Sequence, residues 1–204
     1  MTVAIINGSP RKEQGISAAL IKTITEKLPG CEIRRGWASC AAGEPCEAYL
    51  FVFPLYVDGI PSNLLRELVA HEGGMPPGAR VYAVLNNGFY EGAQNAPAIA
   101  MLRSWCVRAG LAWGQAVGIG AGELLKREAV MALGKALRGP MKEFCRALDT
   151  LAGNILAGGG GADIYPNGGM PRWIYILGGN ISMRQAGKQN GLTKREMERR
   201  LPIL

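Results

Sequence analysis

The sequence predicts an α/β fold, in which a doubly wound, mainly parallel sheet carries helices on both faces. Short apolar runs alternate with segments of helical periodicity along most of the chain. The run at residues 48–53 is continuously apolar, which is typical of a parallel strand buried on both faces. Polar and glycine-containing loops follow three of the runs, at the strand ends where open α/β sheets bind ligands.

Five strands are predicted from the apolar runs. They span residues 2–7, 48–53, 80–85 and 111–119, with a short edge strand at 32–35. The first helix covers 17–28 and ends at Pro29 and Gly30, a pair that terminates helices. Pro61 suits the first position of a second helix, whose leucines and valine follow at helical spacing. A third helix is predicted over 97–109.

Beyond the last strand, the sequence predicts two more helices, over about 123–137 and 140–156. Four consecutive glycines at 158–161 then form the one clear linker. We therefore predict a domain over 1–157 and a C-terminal helical extension over 158–204 that packs on the same domain. The extension contains an apolar run at 173–177, and a capping box from Thr193 to Glu196 opens a last basic helix.

Length and composition predict a globular protein, and the five scattered cysteines favour the reducing cytoplasm. A chain of 204 residues, 48% of them hydrophobic and 19% charged, can bury a substantial core. No run reaches the roughly 18 apolar residues of a membrane span, so membrane insertion is not expected. The chain enters a strand at once, without the basic start of a signal peptide.

The five cysteines are scattered and include no Cys-x-x-Cys pair, which favours free thiols. A metal site on Cys31, Cys40 and Cys46 is an alternative with poor ligand spacing, and we expect no metal. Cys106 and Cys145 fall on predicted helices and are expected in the core. The formal net charge is +7, but no nucleic-acid motif accompanies it. We therefore expect no nucleic-acid partner, and interpret the cations as solvated faces that can steer anionic ligands.

The loop after the first strand predicts an anion site. It contains Ser9 and Arg11 and leads into a helix that begins near Ser17. Unpaired amides and the helix dipole at such an N-terminus favour a bound negative charge, and hydroxyl and guanidinium groups suit phosphate. Neither a nucleoside-triphosphate loop nor a Gly-x-Gly-x-x-Gly dinucleotide fingerprint is present. The alternative is an ordinary strand-to-helix turn that Gly8 and Pro10 punctuate.

Two further loops, at 54–61 and 86–92, place aromatic residues, glycines and amides at the same predicted edge of the sheet. A flat heteroaromatic ring could use Tyr56 or the pair Phe89-Tyr90 as walls. For each loop taken singly, the alternative is a tight turn that carries a stray aromatic residue. The convergence of three loops favours a ligand site.

These three segments resemble the flavodoxin-like NAD(P)H-dependent FMN reductases. The likeness rests on Asn-Gly-Ser-Pro-Arg after strand one, Pro-Leu-Tyr-Val-Asp-Gly-Ile-Pro after strand three and Asn-Asn-Gly-Phe-Tyr-Glu after strand four. It covers roughly residues 2–120. The resemblance, not the residues, implies a flavodoxin-like five-stranded sheet of order 2-1-3-4-5, with FMN at the switch between strands one and three.

Carried over by position, the resemblance implies that Ser9, Arg11 and Ser17 hold the FMN phosphate, together with amides of the loop at Gly15 and Ile16. Family members often have asparagine where this chain has Ile16, which removes one polar contact. The isoalloxazine is then lined on one side by the backbone around Pro54, Leu55, Tyr56, Val57 and Asp58. Its other side is closed by Asn87, Gly88 and Phe89.

The function that the resemblance implies is an FMN-dependent oxidoreductase. A hydride passes from NADH or NADPH through FMN to a small acceptor such as a quinone or a free flavin. A homodimer is also implied. No side chain is assigned a catalytic role, since the flavin carries the chemistry; His71 is expected away from the strand ends. The alternatives are a non-enzymatic electron carrier of the flavodoxin type and a flavin-free regulatory protein on the same fold.

Overall fold

The structure of the chain, a computed structural model, describes residues 1–41, 45–125, 139 and 141–199. The chain divides into two compact units, Met1–Gly169 and Met170–Leu204. The first unit therefore extends beyond residue 157, where the composition of the chain places a boundary.

The first unit contains one parallel sheet. Its strands occur in the order β2-β1-β3-β4-β5, so the α/β fold class and the strand order that the resemblance implied are both confirmed. The first two strands have the predicted bounds. The other three differ from the prediction by one residue at one end, because Pro54 still pairs with Asn86 while Leu111 precedes the ladder. The strands are β1 Thr2–Asn7, β2 Glu32–Arg35, β3 Ala48–Pro54, β4 Arg80–Asn86 and β5 Ala112–Ile119.

Helices connect the strands, as the periodicity predicted. The first ends at Thr25 instead of residue 28, because the next residues close a tighter turn in which the Lys27 amide donates to Ile24 at 3.0 Å. The helix predicted over 123–137 falls largely outside the described residues. Short 3-10 turns lie at Lys12–Gln14, Gly92–Asn95 and Gly122–Leu124. The helices are α1 Ile16–Thr25, α2 Ala38–Ala41, α3 Ser62–Ala70, α4 Ala96–Arg108 and α5 Lys142–Leu156.

The core lies on both faces of the central strands. Every residue of β3 except Pro54 is buried, which explains its continuous apolar run. Phe51 packs edge-on against Trp105, with ring centroids 5.7 Å apart. Burying a side chain of this size contributes about 2–3 kcal/mol. This packing fixes the positions of the strand ends, where the loops begin.

The glycine-rich segment after α5 lies along the outer edge of β5. The amide of Gly161 donates to Gly114 at 3.0 Å and the amide of Ile164 to Ala116 at 2.9 Å. Asp163 holds the segment in place, since its carboxylate accepts from Arg103 at 2.8 Å and from the indole of Trp113 at 3.1 Å. The glycines thus allow a close backbone approach to the sheet.

The second unit contains α6 Arg172–Gln189 and α7 Lys194–Met197. The predicted capping box is confirmed: Thr193 Oγ1 accepts from the Glu196 amide, and the Thr193 amide donates to the Glu196 carboxylate at 2.8 Å. The Thr193 hydroxyl also donates to the Glu196 carboxylate at 2.6 Å, and this bond, followed by the one from the Thr193 amide, lowers the pKa of Glu196. The apolar run at 173–177 lies in α6, which has no buried residue. Among the described residues, no helix combines the length and apolarity needed to cross a membrane.

The described cysteine side chains are free thiols, and Cys106 and Cys145 are buried as predicted. Burial raises the pKa of the Cys106 thiol to about 12. The side chain of Cys40 lies outside the described part of the structure. Within that part, no three metal-ligating side chains come together.

Candidate functional site

A cleft of about 480 Å³ opens at the carboxyl ends of β1, β3 and β4. The loops after these three strands meet in it, and the segment after β5 joins them through Gly122 and Leu125. Of the sequence-predicted site residues, the cleft brings together Ser9, Arg11, Gly15, Ile16, Ser17, Pro54, Leu55, Tyr56, Asn87 and Gly88. It does not include Val57, Asp58 and Phe89 among its lining residues. Its remaining lining residues are Gln14, Asn86, Gly122 and Leu125.

The loop after β1 is held in shape by the side chain of Asn7. Its Oδ1 accepts from the Ser9 amide at 3.1 Å, and its Nδ2 donates to the Lys12 carbonyl at 3.1 Å. The hydroxyl of Ser9 in turn accepts from the Arg11 amide at 3.3 Å. Lys12 has a φ of 47°, which non-glycine residues rarely adopt. The backbone of this loop is therefore fixed before any ligand arrives.

Polar groups without partners face the cleft from the start of α1. Gly15 precedes the helix and supplies no side-chain cap. Ser17 is only 1% exposed, and its hydroxyl has no hydrogen-bond partner among the described residues. Leaving such a buried group unpaired costs about 1–3 kcal/mol. A ligand that hydrogen-bonds to Ser17 would recover this cost.

The charge of the cleft is positive. Arg11 is the one charged side chain among the described lining residues, and it is exposed without an ion-pair partner there. The helix dipole adds partial positive charge at the same end. Gly15 allows a close approach, because a Cβ at that position would lie 3.1 Å from Ser9 Oγ. Ile16 offers only an apolar side chain here, but its backbone amide is available at the start of the helix. This end of the cleft suits an anion with several oxygen acceptors.

The loop after β3 forms a two-residue hairpin turn. The Tyr56 amide donates to Gly59 at 3.2 Å and the Gly59 amide to Tyr56 at 3.0 Å. Val57 and Asp58 between them have φ values of 48° and 54°, the conformation of a type I′ turn. This turn directs both residues away from the cleft, and Val57 is fully exposed. Tyr56, at the base of the turn, lines the cleft and is 43% exposed.

The loop after β4 is organised by Asn87. Its Oδ1 accepts from the Phe89 amide at 2.8 Å, and its Nδ2 donates to the Glu91 carbonyl at 3.2 Å. The Phe89 side chain is 55% exposed outside the cleft. Asn86, the residue before Asn87, is buried in the cleft wall, and its Oδ1 has no partner among the described residues. A ligand with an N–H or O–H group could satisfy this acceptor.

Residues 165–168 support the same loop from behind. The Gly92 amide donates to Asn167 Oδ1 at 2.7 Å, and the hydroxyl of Tyr90 donates to Gly168 at 3.2 Å. The Gly120 amide donates to Pro166 at 3.0 Å. This segment, which follows the glycines predicted to form a linker at 158–161, therefore positions a wall of the cleft.

Four of the residues that line the cleft were not predicted from the sequence. Asn86 ends β4, so the rule that ligands bind beyond strand ends could have found it. Gln14 lies inside the loop already predicted to bind an anion. Gly122 and Leu125 follow β5, whose carboxyl end was not considered. His71 lies outside the cleft: it stacks on Trp37 with centroids 4.1 Å apart, and its Nδ1 is 2.9 Å from the Glu67 carbonyl.

Comparisons with known proteins support the fold. No family model matches the chain, and no curated protein matches it. The flavodoxin of Streptococcus pneumoniae is 15% identical with a TM-score of 0.51, over 77% of this chain and 98% of that chain. A cysteine-to-serine variant of the Pseudomonas aeruginosa flavodoxin is 17% identical with a TM-score of 0.51, over 76% and 98%.

The flavoenzyme NAD(P)H:(acceptor) oxidoreductase of Paracoccus denitrificans is 17% identical with a TM-score of 0.47, over 74% of this chain and 97% of that chain. At these identities the comparisons establish the fold alone. The two flavodoxins, together with the strand order, show that this chain has a flavodoxin-like fold.

Proposed function

We propose that the chain is an FMN-dependent oxidoreductase, which takes a hydride from NADH or NADPH and reduces a small acceptor such as a quinone or a free flavin. The observation that carries the proposal is the unpartnered Ser17 hydroxyl, buried at the start of α1 in a cleft whose one charged lining residue is Arg11. The flavodoxin-like fold supports it, since such sheets bind ligands at this switch point.

The phosphate of FMN would be held by the first loop. Ser9, Ser17 and Arg11 would supply hydroxyl and guanidinium donors, and the Ile16 amide would supply a backbone donor. The Gly15 amide already donates to the Lys12 carbonyl at 3.5 Å, so Gly15 contributes mainly its lack of a side chain. Because Asn7 already fixes the loop, the loop would lose little conformational freedom on binding. Ile16 contributes its amide to such a site and does not obstruct it.

The ring of FMN would lie at the other end of the cleft. Pro54, Leu55 and Tyr56 form one side of that end, and Asn87 and Gly88 form the other. The unpartnered Oδ1 of Asn86 would accept a hydrogen bond from the ligand. The cleft volume of about 480 Å³ lies within the range of roughly 300–1,000 Å³ that is usual for small-molecule sites.

FMN supplies the hydride and electron chemistry when it is bound. The chain's own residues bind the cofactor, orient it and exclude water from one side of it. An enzyme is favoured over a bare electron carrier because the chain carries a net charge of +7, whereas such carriers usually present an acidic docking face. The homodimer and the cytoplasmic location implied by the resemblance remain predictions.

A titration of the full chain with FMN, followed by anaerobic addition of NADH or NADPH, tests the proposal. We expect saturable binding and rapid bleaching of the oxidised flavin band, and the faster nicotinamide identifies the preferred donor. Ser17→Ala should weaken binding. Thr25→Val is the matched control, because the Thr25 hydroxyl already donates to Ile21 at 2.7 Å on the same helix.

FMN binding without bleaching of the flavin band by either nicotinamide would indicate an electron carrier instead of an enzyme. A chain that folds but does not bind FMN would overturn the proposal and leave the flavin-free alternative.

A further inference from the structure

We infer that a second cleft, at the carboxyl ends of β1 and β2, binds a nucleoside phosphate, and that its ligand is the 2′-phosphorylated adenosine of NADPH. The choice of this ligand rests on the proposed function. The cleft has a volume of about 370 Å³ and lies next to the first, because the Lys12–Gln14 turn contributes to both. Gln14 lines the first cleft, whereas Lys12 and Glu13 line the second.

The second cleft has an apolar base and a polar rim. Ile5 on β1 and Ile21 on α1 are among the side chains of the base, and both are buried. Trp37 adds an aromatic edge. Its ring is held by stacking on His71 and by a hydrogen bond of 2.8 Å to the Glu67 carboxylate. A largely apolar base with a few fixed polar groups is the usual construction of a small-molecule site.

Two cations on the rim have no ion-pair partner among the described residues. Arg35 is the last residue of β2 and is exposed, while its neighbour Arg34 pairs with Glu32 at 2.9 Å. Lys12 is the second cation, held at a φ of 47° by the loop that Asn7 fixes. Backbone strain of this kind costs about 1–3 kcal/mol and is concentrated at ligand sites. A guanidinium and an ammonium on one rim suit a phosphate group.

The rim also contains two carboxylates, Glu13 and Glu67. They would repel a free phosphate ion but can accept hydrogen bonds from hydroxyl or amino groups. A ligand that fits both sets of groups is therefore anionic at one end and a hydrogen-bond donor at the other. A nucleoside phosphate has this combination in its phosphate, its ribose hydroxyls and the amino group of adenine.

The place of Arg35 in the sheet favours the 2′-phosphate. Arg35 is an exposed guanidinium at the end of the edge strand, without an ion-pair partner among the described residues, and a guanidinium can bind a phosphate through two parallel hydrogen bonds. The cleft containing Arg35 adjoins the one proposed for FMN. β2 is separated from β3 by two strand spacings, about 10 Å, which an extended dinucleotide can bridge. The same sheet edge could then hold both ends of the hydride donor.

Calorimetry on the full chain, with and without saturating FMN, tests the inference with three probes: adenosine 2′,5′-bisphosphate, adenosine 5′-monophosphate and inorganic phosphate. We expect the bisphosphate to bind at least about tenfold more tightly than either of the others, as charge-assisted hydrogen bonds predict. Arg35→Ala should remove this preference while FMN affinity is retained. Arg34→Ala is the matched control, since that arginine is already paired on the same strand.

Equal affinity for the two adenosine phosphates, or equal loss in the two arginine variants, would overturn the inference. If FMN binds but the bisphosphate does not, the inference fails and the proposed function stands. If the bisphosphate binds with the expected preference but FMN does not, the nucleotide cleft is supported and the proposed function fails.

Discussion

Two walls of the first cleft are built on opposite plans. The wall proposed to hold the phosphate, called the phosphate wall (Ser9, Arg11, Gly15, Ile16 and Ser17), has a backbone fixed by Asn7. Its buried Ser17 hydroxyl and its exposed Arg11 guanidinium have no partners among the described residues. The hairpin wall (residues 54–59) has a closed hydrogen-bonded turn, but Tyr56 at its base is 43% exposed where it lines the cleft. One wall therefore lacks hydrogen-bond partners and the other lacks apolar cover. A ligand with a phosphate at one end and a flat ring at the other supplies both.

The largest expected effect comes from removing the donors of the phosphate wall. Arg11→Ala combined with Ser17→Ala should lower FMN affinity by about a hundredfold, because two charge-assisted hydrogen bonds to the phosphate are lost. Riboflavin has no phosphate, so its affinity should change little. Quenching of flavin fluorescence measures both constants. An equal loss for the two flavins would mean that this wall does not contact the phosphate.

The loop after β4 joins the two walls and depends on Gly122. A Cβ at this position would clash with the backbone carbonyl of Asn87. Gly122→Ala should therefore lower the free energy of unfolding by about 1–3 kcal/mol, as overpacking does. Gly153→Ala is the control, because a Cβ there meets nothing and alanine favours a helix by about 0.5–1 kcal/mol. In urea denaturation, the midpoint should fall for Gly122→Ala and rise for Gly153→Ala.

The hairpin wall should respond to both flavins alike. Tyr56→Ala removes an aromatic surface at the ring end of the cleft. We expect FMN and riboflavin to lose affinity by the same factor, about tenfold, since stacking and apolar burial do not involve the phosphate. The same fluorescence titration measures this ratio. A selective loss of FMN affinity would place Tyr56 at the phosphate end instead.

The smallest effect concerns the turn of the hairpin wall. Val57→Asn should raise the free energy of unfolding by about 0.5–1 kcal/mol, because asparagine tolerates the positive φ of a type I′ turn and valine does not. Val107→Asn is the control, since this valine is also exposed but lies in α4 with helical geometry. If both variants shift the urea midpoint equally, backbone strain at Val57 is not the cause.

Apolar periodicity was sufficient to predict the sheet, because a buried parallel strand leaves a continuous run such as that of β3. Short elements were harder to predict. α2 spans Ala38–Ala41, too few residues for a periodic signal, and it was not predicted. Within the loops, the sequence indicated which segments meet but not which side chains turn inward.

The directions of Val57 and Phe89 illustrate that limit. Valine does not signal a positive φ, so its place at the tip of a turn could not be inferred from its type. Phe89 is oriented by the Asn87 side chain, a contact that depends on the final turn geometry. Four consecutive glycines indicate flexibility as readily as close packing. Their place along β5 depends on Asp163, which no local pattern connects to them.

The segment at 161–164 also covers a sheet edge that would otherwise be open to pairing with another chain. An open sheet edge exposes unpaired amides and carbonyls that can recruit another chain. At β5 these groups are occupied by Gly161 and Ile164. At the opposite edge, β2 is only four residues long and carries Glu32, Arg34 and Arg35. A chain shortened at residue 157 would uncover the long edge of β5 and would acquire a surface for intermolecular strand pairing.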